Sequence, residues 1–375
     1  MKKIILLLNL FLIGHIDAQT YVTIPDTSFA HYLQQNFPSA MSGNQMDTTN
    51  VSIVTTQTLN VSYLNISDLT GVTYFKSLKY LFCNNNATGS FYLPALPDSL
   101  ITLDCNHVLN LMHLPTLPKN LKYLNCRWAG LFSLPSLPDS LITLDCSYCL
   151  INNLPALPST LKNLFCSTLS LSSLPALSDS LQQLDCSYDI SFGGGSITSL
   201  PSLPANLSFL NCNNNKLTSL PTLPSTLTYL DCGNDSILCF PTFPPSLNYV
   251  DLTANPYDCL PNYVLPAMAS YTITPLCGPG NTHGCPDALT NASVIEAKHF
   301  AVNYYPNPTN GSFKITSNTP DKLNVDLYDV NGRPVLSKVL FGAVDIDANS
   351  LDNGVYTLTI GSSLGTINKK LVIAR

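Results

Sequence analysis

Charge is scarce in this chain. Of its 375 residues only 11% are Asp, Glu, Lys or Arg, and the net charge is −6. Without a basic stripe nothing neutralises a phosphate backbone, which excludes nucleic acid as a partner. The six histidines, His15, His31, His107, His113, His283 and His299, lack metal-ligand spacing. No Ser/His/Asp or Cys/His set is recognisable, so neither a metal centre, a cofactor site nor a nucleophilic catalyst is read from the residues. Long apolar runs are missing after the first residues, so no transmembrane helix is expected. Met1-Lys2-Lys3 is a positive start, Ile4 to Gly14 a short apolar run, and Ile16-Asp17-Ala18 a cleavage site with a small residue. About eleven apolar residues cannot span a bilayer, and residues 1–18 read as a secretory signal peptide.

Cysteine, by contrast, recurs on a beat. Cys83, Cys105, Cys126, Cys146, Cys166, Cys186, Cys212 and Cys232 each close the phrase Leu-x-x-Leu-x-Cys, and one further step reaches Leu252. A period near 20 with a single step of 26 means one small unit stacked many times. Within a unit, Leu230 and Cys232 alternate with Tyr229, Asp231 and Gly233, the period of a half-buried strand. The remainder returns through Pro-x-x-Pro, as in Pro155-Ala-Leu-Pro158, Pro201-Ser-Leu-Pro204 and Pro221-Thr-Leu-Pro224. Proline donates no hydrogen bond and favours polyproline II, so the return leg is expected to be short and extended. The step of 26 holds Ser191-Phe-Gly-Gly-Gly-Ser196, a flexible outward loop, read mainly as a tolerated surface insertion.

These phrases resemble the leucine-rich repeat, with Cys at the last strand leucine and Asn or Asp at the ladder position in Asn215, Asp189 and Asp235. The LPxLP return is similar to the short repeats of bacterial leucine-rich effectors, and Ile66-Ser-Asp-Leu-Thr-Gly-Val72 to the N-terminal repeats of internalin-like proteins. The expected fold is a mostly β solenoid of about ten repeats over 58–254, nine from Leu78 to Leu252 and a divergent one at Leu59-Asn-Val61. An N-terminal cap is expected over 19–57, where Phe29, Leu33 and Phe37 share one face of a short helix.

Eight cysteines fall at the inward strand position, where a thiol serves as a small hydrophobe, and cross-rung bonds would need dihedrals that an in-register ladder rarely offers. Cys149, at a ladder position, reads as one more internal thiol. Cys239, Cys259, Cys277 and Cys285 form a disulfide-stapled C-terminal cap over 255–285; of three connectivities, 239–259 with 277–285 is favoured.

Residues 286–302 read as a linker. From 303 to 375 short alternating strands fit a small β-sandwich. Tyr305-Pro306-Asn307-Pro308, Asn310-Gly311, Leu327-Tyr328-Asp329-Val330-Asn331-Gly332, Gly354-Val355-Tyr356 and Lys369-Lys370-Leu371-Val372 resemble the type A C-terminal sorting domain of type IX secretion cargo. The resemblance implies a route through the periplasm to the medium or the outer cell surface, with the secretion machinery as a partner. Asp-Ser-Leu at Ser99, Ser140 and Ser180 also resembles an O-glycan acceptor motif of bacteria with this secretion route, although the repeat alone accounts for it.

If Leu and Cys point inward, the concave face is written by the residues between them. Tyr123, Tyr229 and Tyr249 belong to one column, Asp145, Asp185, Asp231 and Asp251 to the next, and Trp128, Tyr148 and Tyr188 to a third. Aromatics beside acids have the composition of a recognition surface. The expectation is a non-enzymatic surface or secreted protein that binds a protein or glycoprotein. The alternatives are carbohydrate binding or glycoside chemistry at the Asp231–Asp251 pair on neighbouring strands. A calcium site would need more converging oxygens than a flat stripe provides.

Overall fold

A computed structural model describes residues 20–86, 89–193, 195–288, 302–317, 322–330, 332–341, 344–362 and 365–375. The segment read as a signal peptide, and most of the one read as a linker, lie outside the described residues. The chain divides into two compact units, 1–291 and 292–375.

Unit one opens with a small antiparallel sheet of β1 (Tyr21–Thr23), β2 (Met41–Ser42) and β3 (Gln45–Asp47), in the order β1-β3-β2. Between them runs α1 (Thr27–Asn36), started by the Asp26 carboxylate, which accepts from the Phe29 N–H at 2.8 Å. Phe29 and Leu33 on its inner face are buried, and Phe37 meets Phe75 edge to face at 5.6 Å. This helix joins the apolar core of the stack. A short helix, α2 (Val51–Thr55), follows.

Ten three-residue strands then stack in parallel: β4 (Thr58–Asn60), β5 (Tyr80–Phe82), β6 (Thr102–Asp104), β7 (Tyr123–Asn125), β8 (Thr143–Asp145), β9 (Asn163–Phe165), β10 (Gln183–Asp185), β11 (Phe209–Asn211), β12 (Tyr229–Asp231) and β13 (Tyr249–Asp251). Every pair is in register, Leu59 on Leu81 on Leu103 and so on to Leu230 on Val250. The central Leu and the following Cys of the eight rungs β5 to β12 are fully or almost fully buried, as are Leu59 and Val61 on the first rung and Val250 and Leu252 on the last. Twenty residues close a rung without a helix because a Pro-x-x-Leu turn redirects the chain: the N–H of Leu100, Leu121, Leu141 and Leu161 donates to the carbonyl of Pro97, Pro118, Pro138 and Pro158.

Proline-rich legs supply few N–H donors, so side chains satisfy the leftover carbonyls. One spine runs along the residue before each rung's first leucine. Ser140 Oγ donates to Lys119 O and Leu121 O, Thr160 Oγ1 to Asp139 O and Leu141 O, and Thr226 Oγ1 to Ala205 O and Leu207 O. Ser99 and Ser246 do the same for Leu78 O and Leu227 O. The recurring Asp-Ser-Leu triplet is therefore part of this spine at Ser99 and Ser140, whose hydroxyls point into the stack.

A second spine follows the cysteines. The amide of Asn86 donates to Val61 O and Cys83 O, that of Asn215 to Cys186 O and Cys212 O, and that of Asn255 to Cys232 O and Leu252 O. Cys149 stands in for asparagine, its Sγ 3.1 Å from Cys126 O. Asp189 does not join the ladder as its sequence position suggested. Asn215 spans the longer step instead, while Asp189 accepts from Ser191 N and starts the turn of the insertion. Asp235 does sit in the ladder, 8% exposed, with Oδ1 accepting from Leu217 N at 2.9 Å and Oδ2 buried without a partner. Burial pushes the Asp235 carboxyl up to about 7.

The nine cysteines outside the cap are free and buried. Burial pushes the thiols of Cys83, Cys105, Cys146, Cys166, Cys186, Cys212 and Cys232 well above the ordinary thiol range, so they stay neutral and unreactive. The four cap cysteines are paired, but as Cys239–Cys285 and Cys259–Cys277. This corrects the favoured 239–259 and 277–285 pairing. The cause is that Cys277 N donates to Leu260 O and Leu260 N to Pro275 O, laying the segment around Cys277 along that around Cys259 and leaving Cys285 to reach Cys239.

Unit two has two antiparallel sheets around one apolar cluster that includes Phe313, Ile315, Val325, Leu327, Leu358, Ile360 and Leu371. One is β14 (Val302–Tyr305), β15 (Ser312–Ser317) and β18 (Val344–Asp347). The other is β16 (Lys322–Tyr328), β17 (Pro334–Phe341), β19 (Gly354–Ser362) and β20 (Gly365–Ile373), in the order β17-β16-β19-β20. Among the described residues no helix is long and apolar enough to cross a membrane.

Two outcomes follow for the interior. In non-reduced protein, mass mapping should find only the 239–285 and 259–277 bonds, with nine thiols that resist iodoacetamide until guanidinium unfolds the stack. Asp235 binds its proton more tightly folded than unfolded, so stability should fall as pH rises from about 4 to about 7, by on the order of 2–4 kcal/mol. Asp235→Asn should flatten that slope and raise the melting temperature at pH 8; an unchanged pH profile would remove the assignment.

Candidate recognition surface

The ladder orients three outward columns, two from the first and last strand positions and one from the turn after the cysteine, with neighbouring strands roughly 4.8 Å apart. The first holds Tyr80, Thr102, Tyr123, Thr143, Asn163, Gln183, Phe209, Tyr229 and Tyr249. Rings on adjacent rungs must stack at this spacing, and Phe209–Tyr229 and Tyr229–Tyr249 do so, with centroids 4.4 Å apart and planes within 15° and 7°. Burial, with the Asp231 charge, pushes the Tyr229 phenol up to about 12.

The second column contains Asp104, Asn125, Asp145, Phe165, Asp185, Asn211, Asp231 and Asp251. Its acids do local structural work that the sequence pattern concealed. One oxygen of each accepts from the N–H two residues on: Asn106 at Asp104, Ser147 at Asp145, Ser187 at Asp185, Gly233 at Asp231 and Thr253 at Asp251. These Asx turns end the strands, which accounts for the periodic acid. Asp231 also accepts from Asn213 Nδ2 at 2.6 Å, so both its oxygens are engaged. Burial raises the Asp185 and Asp231 carboxyls, although neighbouring donors pull them back.

The third column lies two residues beyond each ladder cysteine. Its residues are left-handed: Asn85 (φ 55°), His107 (53°), Trp128 (56°), Tyr148 (59°), Thr168 (55°), Asn214 (58°) and Asn234 (57°). Asparagine tolerates this region, whereas Trp, Tyr and Thr there are strained, at a cost of order 1–3 kcal/mol each. Of the strained rings Trp128 and Tyr148 stack, whereas Tyr63 (φ 61°), at the same place on the first rung, is 71% exposed. Trp128 and Tyr148 lie 4.3 Å apart with planes 12° apart, His107 extends the pile at 6.2 Å, and the Arg127 guanidinium lies 4.6 Å from the Tyr148 ring centre.

Trp128 and Tyr148 are thus brought together, with Tyr123, Asp145 and Asp185 on the same run of rungs. Tyr188 is separate: it lacks the left-handed backbone of its column, and its hydroxyl turns 3.4 Å toward Phe192 O. Tyr229, Asp231, Tyr249 and Asp251 form a second group on β12 and β13. Sequence reasoning missed Arg127, Ile190 and Phe192. The clue was the change from aromatic to Thr168 in the third column, two rungs beyond the tryptophan.

In unit two, Asn307 pins the Tyr305-Pro306-Asn307-Pro308 segment to β20, its Nδ2 donating to Lys370 O and its Oδ1 accepting from Val372 N. Tyr304 Oη also donates to Lys370 O at 3.0 Å. Gly332 closes the β16–β17 turn at φ 76°, its N–H on Asp329 O. The Tyr356 hydroxyl donates to Asp352 O, and the Arg375 guanidinium to the carbonyls of Ala348, Asn349 and Leu351.

Residues 303–374 match the family of secretion system C-terminal sorting domains. No curated protein matches the chain. Among solved structures, YopM from Yersinia enterocolitica WA-314 is 33% identical over 55% of this chain and 48% of its own, with a TM-score of 0.46. YopM from Yersinia pestis, a leucine-rich effector protein, is 28% identical over 55% of this chain and 57% of its own, at 0.48. A Shigella effector LRR domain is 34% identical over 42% of this chain and 70% of its own, at 0.36. The chain spans about half the length of the two YopM structures. With ten in-register rungs in one unit, eight of them closed by the Leu-x-Cys pair, and the matched domain in the other, the chain is a leucine-rich-repeat protein carrying a type IX secretion sorting domain.

Proposed function

We propose that this exported repeat protein binds a protein or glycoprotein partner through its concave face, without catalysis, either free in the medium or held on the outer cell surface. The observation that supports this most is the strained aromatic pile of His107, Trp128 and Tyr148, which has no role in the buried core. Hot spots of protein interfaces are rich in Trp, Tyr and Arg, the types gathered at Trp128, Tyr148 and Arg127. A carbohydrate ligand is less favoured because a sugar packs on the face of an aromatic ring, and here most faces are taken by the next ring in the stack. Glycoside chemistry is less favoured still, since both oxygens of Asp231 are engaged.

Trp128→Ala should weaken partner binding at least tenfold, in line with about 2 kcal/mol for an interface hot spot, with a nearly unchanged melting transition. Asp145→Asn with Asp185→Asn should weaken binding and reduce its salt dependence. Titration calorimetry against a partner captured on the solenoid checks both; if only substitutions on the Pro-rich convex side matter, the concave assignment is wrong. Deleting residues 303–375 should leave a folded solenoid in the periplasm, read by fractionation and protease resistance. Normal surface delivery of the truncated chain would count against the sorting role.

A further inference from the structure

The six-residue lengthening of the repeat is more than a loop that the stack tolerates. From Tyr188 it turns back along the stack instead of outward. Asp189 N donates to Thr168 Oγ1 at 2.9 Å, and Tyr148 Oη donates to Asp189 Oδ2 at 3.2 Å. The Phe192 ring then lies 6.0 Å from Tyr148 and 5.8 Å from Trp128, edge on to both. The loop thus crosses the rung where the third column narrows to threonine and reaches aromatics two and three rungs away. Its shape is set by its own bonds. Asp189 Oδ1 accepts from the N–H and the hydroxyl of Ser191, Phe192 N donates to Asp189 O, and Gly193 turns at φ 114°, open only to glycine.

A loop folded only to cover Trp128 would bury its own apolar side chains. Here Ile190 remains 64% exposed and Phe192 54%. On the same flank Leu150 is 58% exposed, Leu109 62%, Met112 51% and Phe132 50%. Beside this flank the second column places Asp104, Asp145 and Asp185, with Asp189 at the loop itself. Arg127, the residue before Trp128, lies over the Tyr148 ring and offsets part of the acidity through its charge on Asp185. The lysines of the same rungs, Lys79, Lys122 and Lys162, precede the strands, on the far side of the first column.

We propose that the loop Asp189–Phe192 is a working part of the recognition site. Together with Trp128, Tyr148 and Leu150, it seats an apolar segment of a partner protein whose flanking residues are lysine or arginine. The inference rests on concave-face recognition and adds to it the loop anchor and the charge of the partner. Apolar anchors at Ile190 and Phe192 exclude water around the aromatic pile, and the carboxylates steer and orient the basic flanks.

Trp128 is the only tryptophan in the chain, so its fluorescence reports on this site alone. The experiment titrates the full chain with three synthetic twelve-residue peptides of leucine and phenylalanine interspersed with lysine, glutamate or serine, and with a glucan hexasaccharide. The lysine peptide should change Trp128 emission saturably, with the response weakened by salt, and the glutamate peptide should not. Ile190→Ser, Phe192→Ser, and a deletion of residues 191–196 that restores the 20-residue step should each lower affinity roughly tenfold. Continued protection of the nine buried thiols establishes that these variants are folded. Equal lysine-peptide affinity in the loop variants overturns the role of the loop while leaving concave recognition standing. Equal response to the glutamate peptide overturns the charge assignment. If the hexasaccharide alone responds, or nothing does, recognition of a protein at this face fails as well.

Discussion

Everything in the solenoid depends on closing a rung in about twenty residues, which leaves no room for a helix on the return. A helical return would satisfy its own carbonyls. A proline-rich one cannot, so each rung takes donors from the next: hydroxyls before the first leucine, amides after the cysteine, backbone N–H groups between strands. An unsatisfied buried carbonyl costs about 1–3 kcal/mol, and a rung exposes several. The stack is therefore cooperative through hydrogen bonds as well as through its leucines. Strict register follows, because a slip of one residue would detach all three sets of donors together.

Register in turn makes the surface. Side chains that repeat every rung must lie nearly 4.8 Å apart, so rings become piles and acids become stripes regardless of any ligand. Function has to be sought where the surface departs from what stacking requires. The spacing of the acid stripe needs no ligand, since one oxygen of each carboxylate closes an Asx turn, and what the stripe offers a partner is its charge. The left-handed column does depart: asparagine would serve at every rung, as it does at Asn85, Asn214 and Asn234, and the middle rungs hold His107, Trp128 and Tyr148 at a conformational cost.

The repeat architecture was legible because Leu-x-x-Leu-x-Cys states both the strand alternation and the period, and the tail was legible because its motifs are ordered along a short domain. Three features were hidden for a physical reason. The pairing of the cap cysteines depends on which loop lies along which, and four cysteines in sequence do not encode that. The two donor spines involve Ser, Thr and Asn, which occur throughout an uncharged surface and so give no local signal. The position of the insertion loop is decided by a neighbour 41 residues earlier: Asp189 looks like a ladder residue from its own repeat, yet it leaves the ladder to receive the Tyr148 hydroxyl.

The buried thiols carry a consequence for the life of the molecule after export. Nine free sulfhydryls in an oxidising medium are harmless only while the rungs stay shut. Any opening that brings two of them together can be captured as a cross-link that the stack has no geometry to accommodate, and closure is then barred. Durability outside the cell is accordingly a question of how rarely the solenoid opens rather than of how favourably it folds.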